Sequence, residues 1–285
     1  MQTMRAETIG AMAAARATTV GFTAKVAAAV SNAVYLTDRE GETFWVSPSG
    51  SSPHRRAILA VPTSPAWTVG MVCRYRNGLL CSEDGSAVDV REATIWRALS
   101  TPRPPVRLET AALALRAGLE IHSRAWAPTG WAAAGRSGAR GKRGESNGQV
   151  LPLAAAFADE AKEPISELLA ARDTRDTSRM LDAAMRLVGL GEGLTPSGDD
   201  LLGGYLFTLR HLDTAYPLLP SFDWEAVEAW LTGVASRTNA ISFCLLSDLA
   251  YGHGPEPLHS AVDAALAGAQ PHEIAQHASR VAGIG

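Results

Sequence analysis

The run Gly189-Leu190-Gly191-Glu192-Gly193-Leu194-Thr195-Pro196-Ser197-Gly198-Asp199-Asp200 joins small flexible residues, two hydroxyls and two carboxylates in an order suited to holding a small ligand. Glycines at alternate positions adopt backbone conformations that other residues resist, and they let a ligand come close to the main chain. A helix is expected to open directly after the run. Thr195 or Ser197 can cap it, and Pro196 suits its first turn if Thr195 is the cap. Asp199 and Asp200 then fall in the first turn, where carboxylates complement the helix dipole.

Two chemistries fit such a turn. Free N–H groups of Gly191, Gly193 and Gly198, with the Thr195 and Ser197 hydroxyls, can bind a phosphate or carboxylate. Asp199 and Asp200 oppose a bare anion, because like charges repel. They can instead hold a hard cation such as Mg²⁺ that bridges to the anion, or one of them can accept a proton. A capped helix with a glycine-rich entry and nothing bound is the plain structural alternative. The run is not a phosphate loop of the Walker type, since no Lys follows its last Gly. Nor is it a dinucleotide fingerprint, since no strand precedes it.

A second group lies downstream. Thr238, Asn239 and Ser242 stand near the start of an apolar helix, and Asn239 and Ser242 share a face. They read first as a cap, and otherwise as a second pocket wall of neutral donors to an oxyanion or carboxylate. Other candidates are weaker. His272 and His277 are five residues apart, so on a helix they diverge by about 140° and do not form a zinc pair. His253 and His259 flank Gly254-Pro255 and are expected at a helix junction. No G-x-S-x-G elbow occurs. The cations Arg136, Arg140, Lys142 and Arg143 lie in a glycine-rich stretch without interleaved aromatics, which argues for a surface loop rather than a nucleic-acid contact.

The elements that must position these groups change character along the chain. Residues 33–37 and 43–46 read as a hairpin around Asp38-Arg39-Glu40-Gly41. Residues 56–61 read as a short strand. Residues 69–75 and 79–82 flank Asn77-Gly78, a strong two-residue turn signal, and residues 87–90 form a further strand after Asp84-Gly85. Several short strands at this spacing point to a small barrel or sandwich. Ala93, Ile95, Trp96 and Leu99 look helical, and helical patterns then run over 108–126, 151–171, 178–188, 199–212, 224–235, 240–251, 256–266 and 271–281. The expected fold class is α+β: a β-rich N-terminal barrel or sandwich at 1–92, followed by a larger, mostly α-helical part at 93–285. The latter holds a flexible loop at 127–148 and the glycine-rich site loop at 189–200.

The signature Gly-x-Gly-Leu-Thr-Pro-Ser-Gly-Asp-Asp-x-Leu-x-Gly at 191–204 resembles that of a family that includes AllH, a subunit linked to oxamate carbamoyltransferase of anaerobic allantoin breakdown. The resemblance extends to the β-rich front, the helical back and the segment Thr238-Asn239-Ala240-Ile241-Ser242. It implies exchange of a carbamoyl group between oxamate and phosphate, through oxalurate and carbamoyl phosphate. It also implies companion subunits, including an FdrA-like one. Members of that family continue past the point matching Gly283-Ile284-Gly285 into a further Gly/His/Ser-rich element. The alternatives are a non-catalytic anion-binding or assembly subunit, and a metal-dependent phosphotransfer enzyme.

Composition bounds these readings. The chain has 285 residues, 46% hydrophobic and 19% charged, with a net charge of −3, so neither wholesale disorder nor a global field for nucleic acid is expected. Three cysteines without a C-x-x-C argue against a disulfide framework or a structural zinc and fit a reducing cytoplasm. No stretch approaches the ~20 apolar residues that span a bilayer, and Glu7 before the short run 9–15 makes a poor signal peptide.

Overall fold

A computed structural model describes residues 3–17, 19, 21–61, 65–98, 105–125, 152–219 and 221–283. The loop expected at 127–148 lies outside these residues. The chain divides into two compact units. One comprises Met1–Pro102 with His253–Ser260, and the other comprises Arg103–Gly252 with Ala261–Gly283.

The first unit is a closed barrel. Its strands are β1 (Thr3–Gly10), β2 (Thr23–Val30), β3 (Ala33–Asp38), β4 (Thr43–Pro48), β5 (Ala57–Val61), β6 (Val72–Arg76), β7 (Leu79–Ser82), β8 (Ala87–Asp89) and β9 (Thr94–Trp96), with helix α1 (Ala11–Ala17) after β1. The order β5-β4-β3-β2-β6-β7-β8-β1 closes where β1 pairs antiparallel with β5. Alternate residues therefore face a single interior, filled by Met4, Ile9, Val26, Leu36, Phe44, Ile58, Leu80 and Val88. The alternation in β1 is reset by a bulge between Ala6 and Thr8. The extra residue lets Met4 and Ala6 on one side of it, and Ile9 on the other, all point inward.

The Asn77-Gly78 turn forms as its residues require, with φ of 50° and 82°, and β6 and β7 pair across it. The helix expected from Ala93 does not form. Thr94–Trp96 is strand β9, paired parallel with Thr8–Gly10 of β1. The reason is an unfilled edge. β8 covers only Thr3–Arg5 of β1, and the free backbone groups further along are satisfied by β9. That pairing outweighs the local helical spacing.

The second unit is helical: α2 (Leu108–Ala125), α3 (Pro152–Thr174), α4 (Thr177–Met185), α5 (Ser197–Ala215), α6 (Trp224–Val234), α7 (Ala240–Ala250) and α9 (Pro271–Ala282). Helix α8 (Glu256–Leu266) begins in the first unit and ends in this one. Met180 and Ala184 of α4, Leu187 and Leu190 of the segment after it, Leu202 and Leu206 of α5, Val227 and Leu231 of α6 and Leu246 of α7 make one core. Helices α5 and α7 touch closely at Gly203, where a Cβ would meet Leu249 Cδ1 at 2.5 Å. The contact joins the second turn of α5 to the last turn of α7, so the two helices pack along one another. No described helix is long and apolar enough to cross a membrane.

Candidate functional site

The glycine-rich run links the end of α4 to the start of α5, and it folds back on itself. Gly189, Gly191 and Gly193 take φ of 77°, 126° and 91°. At Gly189 a side chain would also strike the Arg237 carbonyl, 2.4 Å from where its Cβ would stand. Gly193 faces open space. The Gly198 amide donates to the Leu190 carbonyl at 2.8 Å and closes the loop.

The helix start departs from both caps expected. Pro196 itself is the N-cap, with no side-chain hydrogen bond, and Ser197 is the first helical residue. Neither Thr195 nor Ser197 caps α5. The donors that a cap would satisfy are used otherwise: the amides of Asp199 and Asp200 turn back to the Pro196 carbonyl at 2.9 and 3.2 Å.

Asp199 ties the site together. It is 2% exposed. One carboxylate oxygen accepts the Gly189 amide at 2.8 Å. The other accepts the hydroxyls of Thr238 at 2.5 Å and Ser242 at 2.6 Å. Asn239 adds a second tie. Its Oδ1 accepts from the amides of Ile241 and Ser242 and so caps α7, as the sequence led one to expect. Its Nδ2 donates to the Leu194 carbonyl at 2.9 Å. The loop, the first turn of α5 and the first turn of α7 are thus one hydrogen-bonded knot. It contains Asp199, Thr238, Asn239, Ser242 and Gly198 from the sequence-derived set. Gly189 and the Leu194 carbonyl were not singled out in the sequence. Only the alternating glycines hinted at the first, and nothing local marks the second.

Asp200 behaves differently. The residue is exposed, yet its carboxyl is pushed up to about 6. Loss of hydration against the loop is the main cause and the charge of Asp199 the second, while a hydrogen bond from the Thr195 hydroxyl works in the opposite direction. The two observations are reconciled by a side chain that lies along the loop with one side in water, and that water screens part of the effect. The sign for stability follows. A carboxyl raised from 3.8 to about 6 stabilises the fold below its unfolded value, and that contribution is lost as pH rises through about 6. Asp200→Asn is therefore expected to melt roughly 1–3 °C above the parent at pH 7 and level with it below pH ~4. Thermal melts across that range test this, and a variant that melts lower at pH 7 contradicts it.

Gly191, Thr195 and Ser197 are half-buried along the loop, and Gly193 is exposed. Among the described residues, the amides of Gly191 through Thr195 have no backbone acceptor in the protein, whereas those of Gly189, Leu190, Gly198, Asp199 and Asp200 are already paired. Among the described residues no group of three or more acidic, His or Cys side chains converges. The carboxylate of Asp199 already receives three donors. Of the two carboxylates, that of Asp199 therefore has the less capacity left for a further ligand.

Fold and site together define a two-unit α+β protein in which a buried aspartate moors a glycine-rich loop between two helix starts. Residues 187–285 match the model of the AllH family, described as oxamate carbamoyltransferase subunit AllH. That matched stretch contains every residue of the knot. No curated protein and no solved structure matches the chain.

Proposed function

We propose that the chain is a subunit of a carbamoyltransferase-type system acting on small anions, namely oxamate or oxalurate and phosphate or carbamoyl phosphate. The observation that carries this reading is that the family match and the moored loop coincide in one stretch of sequence. The amides of residues 191–195 meet the anion, with Gly191 and Gly193 letting it approach and Thr195 and Ser197 orienting it. Gly198, Thr238, Asn239 and Ser242 hold the loop in shape. Asp199 is a positioning residue, and Asp200 is the proton acceptor.

In the phosphorolytic direction a phosphate oxygen attacks the carbamoyl carbon of oxalurate. The bond from that carbon to the oxamate nitrogen breaks. Asp200 takes the proton from the attacking phosphate and returns it to the departing nitrogen, so oxamate and carbamoyl phosphate leave with no net change in protons. A carboxyl near 6 suits both transfers. No step requires a metal held by this chain.

The test is phosphorolysis of oxalurate by the chain alone and together with FdrA-like companion subunits. Turnover is expected with the companions, and it should fall about tenfold per pH unit below about 6. Asp200→Asn should cut the rate by about 10²-fold or more and remove that acid limb. An unchanged rate in the variant makes this chain a non-catalytic binding or assembly subunit. Absence of turnover in both mixtures removes the carbamoyl reading.

A further inference from the structure

The barrel unit contains a cavity of about 350 Å³ that the loop chemistry does not use. Its wall is assembled from four separate stretches of the unit: the start of α1, Arg55 just before β5, the end of β9 with the two residues after it, and the segment 253–260. Arg55, Arg97, His253 and His259 line it together with Trp96 and Gly254. The two guanidiniums make the recess cationic with strong, directional donors, and the two imidazoles add polar ring atoms. Its size lies at the lower end of the range for small-ligand pockets.

The wall is held in place by the fold. The Glu256 amide donates to the Pro53 carbonyl at 2.9 Å, which moors the segment 253–260 on the barrel. The Gly254 amide donates to His259 Nε2 at 3.2 Å, so the neutral ring carries its proton on Nδ1. His259 in turn packs against Trp96, with ring centroids 6.4 Å apart and planes tilted by 59°. Cations and flat apolar faces are therefore presented side by side.

We propose that this cavity binds a small organic anion: Arg55 and Arg97 hold its carboxylate or phosphoryl group, and Trp96 and His259 receive a planar unsaturated body. The site shares no lining residue with the loop at 189–200 and does not depend on the function proposed for that loop.

Calorimetric titration of the full chain tests it with four probes. Benzoate and adenosine monophosphate carry both features, inorganic phosphate carries only the charge, and adenosine only the ring. At least one of the first two should bind about tenfold or more tightly than either single-feature probe. Arg97→Gln and Arg55→Gln should each weaken that binding by about tenfold or more. Trp96→Leu, which keeps both cations, should weaken it while leaving phosphate binding unchanged. Circular dichroism establishes that each variant is folded. Asp200→Asn should leave the affinity unaltered. Absence of heat from both ring anions up to about 10 mM, equal affinity for phosphate, or survival of binding in both arginine variants overturns the proposal. Loss of binding in Asp200→Asn also overturns it, because the anion then sits at the loop, and the function proposed there is untouched.

Discussion

Replacing Asp199 by alanine is expected to lower the melting temperature by roughly 6–12 °C, the equivalent of about 3 kcal/mol for a unit of this size. The expectation rests on what the carboxylate holds. It is 2% exposed and accepts three hydrogen bonds from three different places: Gly189 at the loop entry, Thr238 before α7, and Ser242 within the first turn of α7. Hydrogen bonds to a charged acceptor contribute about 1.5–3 kcal/mol each, but the two hydroxyls can turn to other acceptors after truncation. The Gly189 amide cannot turn, so its loss is the larger part. Asp199→Asn keeps an oxygen for Gly189 and a donor toward the two hydroxyls, so it should fall between the parent and the alanine variant.

The same geometry predicts strong coupling. Once Asp199→Asn is in place, Thr238→Val and Ser242→Ala should each cost much less than they do in the parent, because all three changes act on one carboxylate oxygen. Thermal melts of the singles and pairs decide the matter. Additive losses would mean that the three side chains act separately and that the loop is not moored as described.

What the sequence could and could not tell about this site follows from the range of the interactions. The Asn239 cap was legible because a cap is local: Oδ1 reaches the amides of Ile241 and Ser242, two and three residues on. The Asn77-Gly78 hairpin and the span Glu256–Leu266 were legible for the same reason, as turn chemistry and apolar period are written over a few residues. The alternate glycines and paired aspartates marked the loop as unusual. Which aspartate is buried was not visible, because Asp199 finds its partners 39 and 43 residues away, and that depends on how α5 and α7 pack. The cap of α5 was misread for a related reason. Two hydroxyls flank Pro196, and local preference favours them, but the chain turns back so tightly that the Pro196 carbonyl serves the first amides instead. Strand β9 was misread because its edge partner, Thr8–Gly10, stands more than eighty residues earlier in the chain.

Gly198→Ala should damage the site strongly, costing about 2–3 kcal/mol and roughly 5–10 °C in melting temperature. Backbone conformation is not the cause, since Gly198 lies in α5 and takes no positive φ. Space is the cause. A Cβ there would stand 2.0 Å from the Leu187 carbonyl oxygen and 3.1 Å from that of Leu190. Both are main-chain atoms at the end of α4 and in the loop, so no side chain can swing aside. The start of α5 would have to move away from the turn that its own Gly198 amide closes onto Leu190. That movement would also pull Asp199 from the Gly189 amide. Gly204→Ala, on the same helix, is the control. Its Cβ would meet nothing within 4 Å. There the ordinary helix preference of alanine applies, and a gain of up to about 1 kcal/mol is expected. The pair separates two readings of a glycine-rich segment. If flexibility alone explained these glycines, both alanines would stabilise; if close approach of main chains explains Gly198, the two substitutions move the melting temperature in opposite directions.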